Sequence, residues 1–158
     1  MWHTVFITLH AIAATVAWLA ALIALPAGRL FEVYRWAQVG MLAALVPALV
    51  VGWSGYDAFS RIAYIGLVVL ATVMLIRTQL AGRILPAATG GPTTGYLDHV
   101  GFTIIALSDG FAIVAALRAG APGWLVAVIA VGVIVAGHFG LRAAKARWAR
   151  SAPVDVDA

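Results

Sequence analysis

Residues 96–150 read YLDHVGFTIIALSDGFAIVAALRAGAPGWLVAVIAVGVIVAGHFGLRAAKARWAR, and this stretch decides the fold. Two apolar runs, 97–118 and 122–144, are joined by Ala119-Gly120-Ala121-Pro122-Gly123. About 20 apolar residues cross the hydrocarbon core of a bilayer as a helix, and a Gly/Pro cluster between such runs is a turn signal. The stretch is therefore predicted to be a pair of antiparallel transmembrane helices. It also carries two of the four histidines, an aspartate deep in an apolar run, and the densest basic cluster of the chain.

Upstream the same pattern repeats. Apolar runs at 4–26, 36–54 and 61–81 are separated by Pro26-Ala27-Gly28-Arg29, by Ser54-Gly55-Tyr56-Asp57 and by the Gly/Pro/Thr-rich residues 86–95. The expectation is an all-α bundle of five transmembrane helices forming one domain over residues 1–150. The loop from Pro86 to Gly95 has a linker's composition, and residues 151–158 read as a disordered polar tail. Composition agrees. Of 158 residues 64% are hydrophobic and only 10% charged, where a soluble domain carries about 25% charged residues. The mean hydropathy is +1.03. No cleavable signal is expected, because the first basic residue is Arg29 and the first apolar run is too long for a signal's h-region.

Orientation follows from the Lys/Arg bias of the loops. With five spans and the C-terminus cytoplasmic, the inner face receives Arg29, Arg35, Arg77, Arg83, Arg142, Lys145, Arg147 and Arg150, and the outer face only Arg61 and Arg118. The reading is N-terminus outside, C-terminus inside, in a bacterial inner membrane. Trp2, Trp53 and Trp124 fall at outer boundaries and Trp36 and Trp148 at inner ones, as aromatic belts do; Trp18 alone lies within a span. The net charge of +4 resides beside apolar segments and forms no nucleic-acid recognition face. Zero cysteines exclude disulfides, thiolate metal sites and thiol redox chemistry.

Small residues mark where helices approach closely in lipid. His10, Ala13, Ala14, Ala17, Ala20, Ala21 and Ala24 share one face of the first helix, at spacings of three and four, so His10 is expected to point into the bundle. Gly132, Ala136, Gly137 and Gly140 offer a second small-residue surface on the fifth helix.

Ionisable groups within a span are expensive and need a reason. Asp109, near the middle of the fourth span, reads either as a helix-to-helix staple or as a proton-relay or ligand carboxylate. His99 and His138 lie on neighbouring antiparallel spans, near enough in depth to be candidates for bis-histidine haem b ligation, with Arg83 and Arg142 placed for propionates. Against this, His99 reads as an interfacial histidine and His138 as one bonded to a carbonyl. His10 is either a satisfied structural histidine or a proton shuttle. The run Arg142, Lys145, Arg147, Arg150 is expected to anchor the chain on anionic headgroups. The sequence has no Gly-rich phosphate loop, no HExxH, no serine nucleophile motif and no carboxylate cluster for a metal.

Leu9-His10 opening the first helix, the loop Gly28-Arg29…Tyr34-Arg35, a basic end to the third helix, and Leu141-Arg142 in the last resemble a family of small, uncharacterised bacterial integral membrane proteins known only as a domain of unknown function. The resemblance covers most of the chain. It implies the multi-helix architecture and no activity. Such families show a His-Arg pair where this sequence has Tyr34-Arg35. The four paired histidines of the ascorbate-linked transmembrane b cytochromes are missing.

Two functions remain open. The first is non-enzymatic: a scaffold or accessory subunit, homo-oligomeric or part of a larger complex, binding a partner or lipid through Ala/Gly-rich faces. The second is a redox or transport component binding haem b, quinone or protons through His99, His138, His10 and Asp109.

Overall fold

The computed structural model describes residues 2–86 and 91–151. Each expected span becomes one helix: α1 (Trp2–Ala27), α2 (Phe31–Gly52), α3 (Ala58–Gly82), α4 (Thr94–Arg118) and α5 (Gly123–Ser151), with a single 3-10 turn, Trp53–Gly55, after α2. All five are long and apolar enough to cross a membrane. The expected linker falls partly, and the polar tail almost wholly, on residues 87–90 and 152–158, outside the described residues.

The helices extend past the apolar runs because backbone hydrogen bonding continues where hydropathy stops. α2 starts at Phe31 rather than 36, taking in Glu32 and Arg35, which pair at 2.8 Å one turn apart. α5 runs on to Ser151 and carries the whole basic segment as helix. α4 starts at Thr94 because Thr93, just before it, accepts the amide of Tyr96 on its hydroxyl at 3.2 Å, which satisfies one of the orphan donors of a helix start.

The turns are built by backbone conformation. Gly28 has φ +69°, and its amide donates to Ala24 O at 2.7 Å. Leu30 then adopts φ 59°, a left-handed state costing a non-glycine residue about 1–2 kcal/mol, and the next side chain, Phe31, enters the core. At the end of α4, Gly120 has φ +75°, its amide reaches Leu117 O, and the Ala121 amide reaches Ala116 O, both at 3.0 Å. That pair of bonds is a Schellman stop, so the Gly-Pro joint read from sequence acts as a helix terminator.

α1 to α4 form a closed ring in which α1 packs on α2, α2 on α3, α3 on α4 and α4 back on α1. The alanine face of α1 lines its centre: Ala14, Ala17, Ala20, Ala21 and Ala24 are all buried. Its small side chains let α2 approach closely, and Ala13 lies 3.9 Å from where a β-carbon on Gly40 would sit. This face is consumed inside the chain. α5 stands outside the ring, packed chiefly on α4, and none of its described residues is buried.

The α4–α5 seam has a readable register. Lys145 binds Asp98, Leu141 fills the space above Gly101, and Ile105 fills the space above Gly137. Each helix thus presents a glycine to a branched side chain of the other. Gly132 and Gly140 meet nothing within 4 Å, so the small-residue surface expected on α5 is only partly used by the chain itself.

Candidate functional site

Polar side chains inside the ring concentrate toward the end of the bundle that carries most of the basic residues. Tyr34 and Gln38 come from α2, Thr78 from α3, and Tyr96 and Thr103 from α4, and all five are fully buried. Tyr34 and Gln38 lie one turn apart on one face of α2. The Thr78 hydroxyl lies 2.7 Å from Tyr34 Oη and 2.9 Å from Met74 O. Thr103 donates to His99 O at 3.3 Å, and Tyr96 donates to Ala24 O at 2.9 Å. Gln38 differs from the rest: both its amide oxygen and its amide nitrogen are enclosed without a hydrogen-bond partner. At the rim of this layer the Arg77 guanidinium stacks 4.3 Å from the Phe102 ring centroid, a cation–π contact.

Sequence reasoning passed over this layer. Tyr, Gln and Thr carry no charge at neutral pH, so a search for ionisable groups in the spans does not select them. The available signal was Gln38, a strongly polar amide within the apolar run 36–54.

The expected site residues are placed as follows. His10 is half-buried and its Nδ1 lies 3.0 Å from Met41 O, so it faces the bundle and ties α1 to α2. His3 meets Tyr56 Oη at 2.8 Å. The Tyr56 phenol sits above the ordinary tyrosine pKa range, first through desolvation and then through the neighbouring Tyr64. Asp109 lies one turn beyond Ile105 on the α4 face that meets α5, with Oδ1 enclosed and unpartnered. Its neighbour Ser108 accepts the Trp18 indole N–H at 2.8 Å and donates to Ile104 O at 2.8 Å. Trp18 also packs edge-on to Phe111, so the single mid-span tryptophan has both a polar and an aromatic partner.

His99 is half-buried, with Nδ1 enclosed and unpartnered; His138 is exposed, its ring beside Phe139. The seam register sets His138 opposite residue 104 of α4, about five residues beyond His99, or roughly 8 Å along the axis. A haem held by both imidazoles needs them across one iron at one depth. In the basic segment Lys145 is engaged by Asp98, while Arg142 and Arg150 are exposed.

Two apolar grooves open on the bundle surface. One, of about 400 Å³, runs between α1, α4 and α5 past Leu22, Ile104, Ser108, Ala136 and Gly140. The other, of about 470 Å³, lies between α2 and α3 beside Val46, Leu49, Trp53 and Ile65. Ser108, which lines the first groove, is engaged by Trp18 and by Ile104 O. Among the described residues no three His, Asp or Glu side chains gather as metal ligands.

Comparison with known proteins finds no matching family model, no matching curated protein and no matching solved structure. This is consistent with the uncharacterised family that the sequence resembles.

Proposed function

We propose that this is a non-enzymatic, multi-pass protein of a bacterial inner membrane, N-terminus outside and C-terminus cytoplasmic, that acts as a scaffold or accessory subunit and binds a partner helix through α5. One observation carries the reading. α1 buries its alanine face within the ring of α1 to α4, whereas α5 contributes no described buried residue and has one principal neighbour. In lipid a helix gains little from burial alone and is held by close packing and interhelical bonds, so a helix with a single packed edge has its remaining faces available. The orientation is supported by the eight-to-two division of Lys and Arg, and anionic headgroups around Arg142 and Arg150 reinforce it.

The test is a photoreactive side chain placed singly at exposed α5 positions in native membranes. A discrete protein adduct is expected from one face of the helix. Adducts to lipid alone, from every face, overturn the reading.

A second reading, a component that carries protons or binds quinone, is favoured by the enclosed and unpartnered Asp109 Oδ1 and His99 Nδ1, since intramembrane ionisable groups are functional by default. It requires that Asp109→Asn abolish function while assembly is unchanged; loss of assembly instead sinks it.

A further inference from the structure

α5 carries a stripe with heptad spacing: Trp124, Val128, Val131, Val135, His138 and Arg142. The steps alternate four and three residues, the pattern of a left-handed coiled-coil seam. All six side chains are exposed, with Val131 at 62%. The edge of α5 that faces α4 is marked by Gly137 and Leu141, about a third of a turn round the helix from the stripe, and the stripe ends where the next heptad position, Lys145, binds Asp98. The stripe is apolar until His138, which lies about 10 Å along the axis from Lys145 and, on the proposed orientation, within the hydrocarbon. An imidazole facing lipid has neither a donor nor an acceptor to meet, and polar groups at that depth find partners in other helices.

We infer that the occupant of this stripe is α5 of a second copy of the same chain. The inference rests on the proposed function and names its partner. Two copies inserted in the same orientation can be related only by an axis along the membrane normal, so the two α5 helices run parallel and every residue on the seam meets its own counterpart at equal depth. His138 then faces His138, and a neutral imidazole is at once a donor and an acceptor: the N–H of one ring donates to the bare nitrogen of the other. A different partner would need a polar group on an apolar helix at this one level; a second copy supplies it by symmetry. A polar side chain in an otherwise apolar seam of this kind fixes its register. The two Arg142 side chains, one turn further on, extend to the headgroups.

The chain has no cysteine, so single replacements report cleanly. Val128→Cys, Val131→Cys, Val135→Cys and Val133→Cys, on the far side of the helix from the stripe, are introduced at native expression level, and membranes are oxidised. Cross-linked dimer is expected from the three stripe positions and little from Val133→Cys. In purified protein His138→Leu should weaken association by about tenfold, the scale of one interhelical hydrogen bond in a bilayer, and His138→Asn should largely restore it. Dimer formation with no preference for the stripe, or unchanged by His138→Leu, overturns the inference. A photoreactive residue at Val131 that captures a different protein and never a second copy also overturns it, while leaving the scaffold reading intact. Capture of neither sinks both.

Discussion

The hydroxyl of Tyr96 donates to the carbonyl oxygen of Ala24 at 2.9 Å, tying the first turn of α4 to the last turn of α1. The bond closes the four-helix ring at the end where the chain has just left α1. Ala24 O also accepts the Gly28 amide at 2.7 Å. Removing the tyrosine hydroxyl therefore leaves no orphaned acceptor. Tyr96→Phe is expected to destabilise the protein by about 1 kcal/mol, the net worth of an ordinary hydrogen bond. Tyr96→Ala, which also empties a fully buried site, should cost about 3–5 kcal/mol, as aromatic truncation does in packed cores. Thermal unfolding in mild detergent reads both; equal midpoints for the two variants would show that the ring is not closed here.

The α4–α5 seam predicts a difference among glycines of one helix. A β-carbon on Gly137 would lie 2.6 Å from Ile105, whereas on Gly132 or Gly140 it would meet nothing within 4 Å. Gly137→Val should separate α5 from α4, since overpacking typically costs about 1–3 kcal/mol and α5 has no other main support. Gly132→Val should leave the seam unchanged. A cysteine pair across the seam, tested by cross-linking in each background, distinguishes the two; equal loss in both would refute the register.

Much of this architecture is legible in the sequence because bilayer thickness imposes a length on each span and Gly/Pro clusters mark the turns. The alanine face of α1 and the inward placement of His10 follow from helical periodicity alone. What periodicity cannot supply is the partner of each face. Nothing in the sequence says that α2 and α4 consume the alanines, that Gly137 is packed while Gly140 is open, or that His99 and His138 differ in depth. Those follow from the α4–α5 register, marked by Lys145 with Asp98 and held by the reciprocal glycines. The buried Tyr34–Thr78–Thr103 layer was hidden for another reason: uncharged polar side chains blend into an apolar run, and only their convergence in space makes them a site.

Lys145 and Asp98 form an ion pair between α5 and α4, with their side chains 24% and 49% exposed. Solvent screens a pair this open, so it should contribute less than about 1 kcal/mol. Lys145→Ala is expected to lower the unfolding midpoint slightly at low salt, and the difference should vanish near 1 M salt, where the screening length falls to about 3 Å. A large, salt-independent loss would mean that the pair fixes α5 on α4 rather than decorating the seam.

Gln38 gives the prediction with the least intuitive sign. Its side chain is fully buried, yet neither end of the amide has a partner, although Tyr34, one turn earlier on the same face, is bonded. A buried polar group left unmade costs about 1–3 kcal/mol, and an apolar side chain of similar length and volume carries no such penalty. Gln38→Met should therefore raise the unfolding midpoint, by about 2–4 °C for each kcal/mol at this chain length. Gln38→Ala should lower it, because the hole it leaves outweighs the relief. The alternative is an ordered water completing the amide's bonds, which needs two to four polar partners. In that case Gln38→Met strands the water and destabilises the protein. The sign of the shift thus decides whether this layer is a dry imperfection or a hydrated element of the bundle.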